Sequence, residues 1–312
     1  MRNARNNKKP SFYITVASLQ STYLRNPVFV NKLPSGLPVR GIAILLEELF
    51  LVRQGSQCLE VYDVTSLTLR RHLAVSGLVG PSDMASSTVC RCLYVADRRH
   101  SDTTGNTQQF VHRVEPNGKT FRWSLNYLPH GLSITADGRN VIVTCDQVRV
   151  LKEYTTRGVF VREIHLSDDI QQPMHAVQLP VGGGQFVVCH GGETDSLNRL
   201  CRVDVGGHLV KSYGGPPGSG LGGMNVPIRL AVDRSGNVFV VDVNNRRVLL
   251  ASPDLDDVRE LLTPRNGDQR SEPYRICLDE LRGLVFVAEC EWNGLNLVNG
   301  EVRVFKVRDV PD

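Results

Sequence analysis

The chain has 312 residues, 41% of them hydrophobic, and a formal net charge of +4. That composition supports a large buried core, and the mild positive balance leans toward anionic partners. No run of eighteen apolar residues occurs, which excludes a helical membrane span.

Residues 1–25 begin Met1-Arg2-Asn3-Ala4-Arg5-Asn6-Asn7-Lys8-Lys9 and pass into Ser11–Leu19 without the apolar stretch of a secretory signal. The expectation is a solvated basic tail on a cytoplasmic protein. Asn26–Leu33 then reads as a strand with no partner beside it in the chain.

From Pro38 onward the sequence repeats. Six segments start with a proline and run into a short apolar strand: Pro38-Val39-Arg40-Gly41, Pro81-Ser82-Asp83, Pro129-His130-Gly131, Pro173-Met174-His175, Pro227-Ile228-Arg229 and Pro273-Tyr274-Arg275. The steps between these prolines are 43, 48, 44, 54 and 46 residues. Strand-like units at such a period mark a β-propeller with one blade per repeat. The expected fold is all-β: a six-bladed propeller of four-stranded antiparallel blades over residues 26–312, probed blade by blade at 38, 81, 129, 173, 227 and 273.

Blade five shows the build most fully. Pro227–Val232 and Val238–Asp242 flank Asp233-Arg234-Ser235-Gly236-Asn237, whose turn chemistry makes the two strands a hairpin. A proline at a strand's first position forfeits no ladder hydrogen bond. Asn244-Asn245 turns the chain into Val248–Leu250, and Val258–Leu262 supplies the outer strand. The last repeat stops after its third strand, Gly300–Val307, so Val28–Leu33 is expected to supply the fourth and close the ring. The longest step is explained by the glycine-rich linker Gly214–Gly223.

The eight cysteines lack zinc-site spacing and read as buried or idle thiols. No nucleophile elbow, zincin helix or phosphate-cradling glycine loop is present, so no catalytic role is expected. In a propeller the third residue of each blade opening and the last residue of each second strand meet at one channel mouth. The pairs are Arg40 with Arg53, Asp83 with Asp97, Gly131 with Asp146, His175 with His190, Arg229 with Asp242, and Arg275 with Glu289. The last two pairs read as ion pairs. Arg40 and Arg53 have no acid of their own and lie near Arg275 and the Arg98-Arg99 pair, with Trp292 on a neighbouring loop. Such an arginine arc beside an aromatic suits phosphate or carboxylate groups and base stacking. His130, His175 and His190 offer the alternative of a zinc site.

The repeat pattern, a proline-led strand, Asp-x-x-Gly-Asn, and an apolar strand ending in Asp before Asn-x-Arg-Val, resembles the NHL repeat. Blade five carries it almost in full. Leu93–Asp97, Ala136-Asp137-Gly138 with Val141–Asp146, and Leu284–Glu289 carry parts of it. Blades one and four end their second strands in Arg53 and His190, where the pattern wants Asp. The resemblance extends to the C-terminal NHL propeller of tripartite-motif ubiquitin ligases and implies a monomeric, cofactor-free platform for a protein partner or single-stranded RNA. The zinc frameworks that precede that propeller in those ligases have no counterpart ahead of residue 38. His130 is similar in place to a zinc-binding histidine of the amidating lyase, an NHL-type enzyme, and this implies the metal-dependent alternative.

Overall fold

The computed structural model describes residues 23–98, 108–145, 147–192, 195–220, 222–263, 271–293 and 296–308. Arg99, Asp146 and the tail up to residue 22 lie outside the described residues. Among the described residues no helix is long and apolar enough to cross a membrane.

The fold is a six-bladed β-propeller. β1 (Val28–Gly36) precedes blade one, which contains β2 (Val39–Leu45), β3 (Glu48–Arg53), β4 (Cys58–Asp63) and β5 (Leu69–Ala74). Blade two is β6 (Pro81–Ser87), β7 (Cys92–Asp97), β8 (Gln109–Val114) and β9 (Thr120–Leu125). Blade three is β10 (Gly131–Ile134), β11 (Asn140–Cys145), β12 (Val150–Thr155) and β13 (Phe160–His165). Blade four is β14 (Pro173–Gln178), β15 (Phe186–His190), β16 (Asn198–Val203) and β17 (Leu209–Gly215). Blade five is β18 (Pro227–Val232), β19 (Val238–Asp242), β20 (Arg247–Ala251) and β21 (Val258–Leu262). Blade six combines β22 (Ser271–Asp279), β23 (Leu284–Asn293) and β24 (Asn296–Lys306) with β1 as its outer strand.

The closing strand is therefore N-terminal, as the truncated last repeat requires. Val28 pairs with Lys306 and Leu33 with Val302, and the pairing runs on to Gly36. Tyr23 anchors the lead-in: its hydroxyl donates to Asp233 Oδ2 at 2.6 Å, and its ring packs edge-on against Phe239. Deleting residues 1–36 removes this clasp and leaves β24 as an unpaired edge. The expected result is aggregation or a large drop in melting temperature, read by light scattering and calorimetry. A truncated protein that melts with the full chain contradicts the closure.

The core is six layers, one between each pair of adjacent blades. Blades contribute both sheet faces, which is why the second strands are apolar on both sides rather than alternating. Phe50, Tyr94, Phe239 and Phe286 hold the same register position, three residues before Arg53, Asp97, Asp242 and Glu289 in their second strands, and are fully buried. The turn after β18 follows its predicted chemistry. Asp233 accepts from the Asn237 amide and side chain at 2.7 Å each, and Gly236 takes φ +88, a conformation that glycine adopts freely.

Blade six departs from expectation. Trp292, expected in a loop, is paired opposite Leu297, and the pairing runs on to Asn293 opposite Asn296. β23 and β24 thus project as a hairpin arm past the blade end that carries Pro273, with Trp292 46% exposed on it.

Candidate functional site at the channel mouth

The innermost strands place one residue each around the axis. Five blades show a register shift directly after the opening (Val39/Gly41, Pro81/Asp83, Pro173/His175, Pro227/Arg229, Pro273/Arg275), a bulge that turns the next side chain inward. The equivalent residues are Gly41, Asp83, His175, Arg229 and Arg275, with Gly131 in blade three. Arg40 is thus displaced by one from the position expected of it. The two glycines are required by space. A Cβ at Gly41 would stand 2.6 Å from Met84 Cβ, and one at Gly131 would stand 2.5 Å from His175 Cδ2.

The four side chains form a plate across the channel. The Leu132 amide donates to Asp83 Oδ2 at 2.7 Å, and Arg229 Nε, Arg275 Nε and His175 Nε2 lie 3.5, 3.8 and 3.6 Å from its oxygens. Arg275 donates to the carbonyls of Arg40, Tyr274 and Ser82, and Arg229 to those of Ile228 and His130, so the plate ties blades together across the axis. All four side chains are buried. Burial alone would raise the Asp83 carboxyl; the Arg229 and Arg275 guanidiniums and the Leu132 amide outweigh it and hold it below the usual carboxylate range.

Above the plate, on the face that carries Arg98 and the blade-six arm, lies a cavity of about 350 Å³. Arg40, Arg98, Arg229, Arg275, His130 and Tyr274 line it with Gln54 and Ser82, and no carboxylate does so among the described residues. Below the plate a second cavity of about 240 Å³ is walled by inner-strand residues such as Ile42, Met84, Val177 and Cys277.

The field in the upper cavity registers on three different groups. Burial, and then the Arg229 charge, drives His130 down to about 3. Arg275 falls to about 10 through burial and repulsion from Arg229. Burial would push the Tyr274 phenol up, yet Arg275, Arg40 and Arg229 bring it below its ordinary value. Its ring lies under Arg275 at 4.1 Å and near Arg40 at 5.6 Å, and its hydroxyl accepts from Arg40 Nη1 at 2.9 Å. Cations crowd this cavity and no acid lines its described wall, a field that attracts negative charge.

Of the residues expected in the arginine arc, Arg40, Arg98 and Arg275 meet in this cavity, and Arg229 joins them there. Arg53 does not. It is buried, and its guanidinium donates to the carbonyls of Pro34, Leu37 and Gly300 and to Glu60, stapling the closing strand to blade one. Trp292 stands on the arm on the same face, outside the cavity wall. Arg99 lies outside the described residues.

The expected ion pairs of Arg229 with Asp242 and of Arg275 with Glu289 are corrected. Arg229 lies opposite Val241 and Arg275 opposite Ala288, so each shares a face with the residue before the acid, and alternation sends the acid to the other side. Asp242 instead pairs with Arg247 at 2.8 Å, and Glu289 with Arg303 at 2.9 Å. In five blades the residue at this register position braces the segment entering its own blade. Asp242 accepts from the Asn225 amide, Asp97 from the Gly80 amide, Glu289 from the Ser271 hydroxyl, and Arg53 and His190 donate to Leu37 and Gln171 carbonyls. That common task explains why arginine and histidine replace the acid in blades one and four.

The three histidines of the metal alternative point to different carbonyls. His130 Nδ1 donates to Met174, His175 Nε2 to Leu132 and His190 Nδ1 to Gln171. His190 Nε2 also accepts from Arg199 at 3.1 Å, leaving that ring no free nitrogen. Among the described residues no group of three His, Cys, Asp or Glu side chains could hold a metal ion.

Several solved structures share the fold. Hydrazine synthase of Kuenenia stuttgartiensis aligns with a TM-score of 0.60 at 16% identity, over 82% of this chain and 77% of that one. A protein of unknown function from Bacteroides thetaiotaomicron aligns with a TM-score of 0.64 at 12% identity, over 92% and 74%. One from Bacteroides caccae gives 0.57 at 11%, over 83% and 85%. The kinship is one of fold. No protein-family model and no curated protein matches the chain.

Tyr274 and the carbonyl-held state of the two plate arginines escape the sequence reading. The recurring Pro-x-titratable triplet, Pro81-Ser82-Asp83, Pro173-Met174-His175, Pro227-Ile228-Arg229 and Pro273-Tyr274-Arg275, is the signal that marks the plate.

Proposed function

We propose that this chain is a non-catalytic recognition platform of the NHL-repeat kind, which takes single-stranded RNA over the face carrying the arginine-lined mouth. One observation carries the reading: four guanidiniums line one cavity with no carboxylate on its described wall. Arginine forks suit phosphate oxygens, and the exposed Trp292 on the adjoining arm offers a base a surface to stack on. The likeness of the repeats to the propeller of tripartite-motif ligases supports the same class of ligand.

The test is fluorescence anisotropy with short single-stranded RNA. Arg40→Gln with Arg98→Gln, two cavity-wall changes that leave the plate intact, is expected to weaken binding about tenfold or more, given ~1.5–3 kcal/mol for a hydrogen bond to a charged group. Trp292→Ala is expected to cost about 1–3 kcal/mol if a base stacks on it. Equal affinity in wild type and the arginine double variant overturns the reading. Binding of an acidic protein partner with no RNA binding reassigns the platform to proteins.

A further inference from the structure

The floor and the wall of the upper cavity differ in what they can still offer. Arg275 and Arg229 are fixed by donation to five backbone carbonyls, which orient the guanidiniums without neutralising them. On the wall, Arg98 makes no side-chain hydrogen bond or ion pair to a described residue, and Arg40 commits one contact to Tyr274 and one to Gln54. The Tyr274 hydroxyl accepts from Arg40 and keeps its own proton to donate. His130, whose Nδ1 donates to Met174, leaves Nε2 as an acceptor on the same cavity. Four guanidiniums stand against one carboxylate, Asp83, which lies in the plate below.

This cavity is a socket rather than a through-passage, because the plate lies between it and the lower cavity. A strand threading its middle would have to enter and leave by one opening. We infer that the socket takes a terminal phosphomonoester, inserted end-on, with the rest of its molecule outside the mouth. This rests on the reading of the mouth as an anion site. A carboxylate or an internal phosphodiester brings a single charge, whereas a phosphomonoester brings about −1.5 to −2 and three terminal oxygens at neutral pH. Three oxygens can be met by Arg40, Arg98 and the Tyr274 hydroxyl above the fixed floor. His130 Nε2 accepts from a sugar hydroxyl beside the phosphate or from its residual P–OH. A free nucleotide and the phosphorylated end of a strand present the same group.

The experiment compares one short single-stranded RNA bearing a terminal phosphate at either end with its unphosphorylated form, alongside AMP and adenosine, by anisotropy and calorimetry. The phosphorylated strand is expected to bind about tenfold tighter or more, with AMP competing and adenosine not. Arg98→Gln is expected to abolish that advantage while its melting temperature matches wild type. AMP binding as tightly as the strand assigns the source to free nucleotides; a much tighter strand assigns it to chain ends. Equal binding of both strand forms, lost in the Arg40→Gln/Arg98→Gln variant, overturns the phosphomonoester while the anion site stands. No dependence on those arginines for any ligand overturns both. Capture of a peptide carboxylate but of no nucleotide overturns the ligand class.

Discussion

Asp83→Asn is expected to destabilise the protein by about 3–5 kcal/mol, because it leaves two buried guanidiniums without their shared counter-charge. The asparagine keeps the size of the side chain and an oxygen for the Leu132 amide, so the loss reads the charge alone. Arg229 and Arg275 are held by carbonyls on blades one, two, three, five and six and cannot swing away to water. At roughly 2–4 °C per kcal/mol for a chain of this order, the melting temperature falls by roughly 6–20 °C. The cost is paid at the axis, where one acid serves three blades. Calorimetry of the variant checks it, and a melt within a degree of wild type contradicts the plate.

Acidification is expected to unfold the protein well above the carboxylate range. His130 sits at about 3, and His175 and His190 at about 4, all through burial first. Arg229 and Arg275 face the first two rings, with Asp83 beside His175 and Arg98 near His130; Arg199 faces the third, with Asp169 and Asp195. Unfolded histidine titrates near 6.5. Below that value the unfolded chain takes up protons that the folded one refuses, so this stability is complete above about pH 6.5 and drains as pH falls toward 4. Each histidine contributes about 1.4 kcal/mol per pH unit, so pH 7 to pH 5 removes roughly 6 kcal/mol from the three together. The carboxylate of Asp83, held low, adds its own loss at still lower pH. Melting temperature measured against pH tests this, and a flat profile between pH 7 and pH 5 contradicts neutral buried rings.

The blade framework was legible because its determinants are local. Each opening proline, each Asp-x-x-Gly turn and each apolar second strand sits within one repeat, and β19 and β21 have the bounds that the pattern in Val238–Asp242 and Val258–Leu262 predicts. Ring closure was legible for a different reason: a repeat with three strands needs a fourth, and Val28–Leu33 was the unpaired strand at the other end of the chain. The site was legible only in part. Arg229 and Arg275 announce themselves by their place after the proline, but their partner Asp83 comes from another blade, across a distance on which no spacing reports. The bulge after each opening also moves the register by one, which turned Arg229 from Asp242 and put Gly41 where Arg40 was expected. Arg53 illustrates the limit most clearly. Its partners are backbone carbonyls of Pro34, Leu37 and Gly300, groups that every residue possesses, so nothing in the sequence marks it as a staple rather than a ligand contact.

The central claim is that the mouth arginines carry charge that a polyanion neutralises, and the salt dependence of RNA binding measures this directly. Each phosphate contact on a single strand contributes about −0.7 to the slope of log K against log salt. Arg40→Gln with Arg98→Gln is therefore expected to make the slope shallower by about 0.7 where the two arginines share one phosphate and by about 1.4 where each meets its own. An unchanged slope in the double variant would contradict the account and leave the mouth a solvated face.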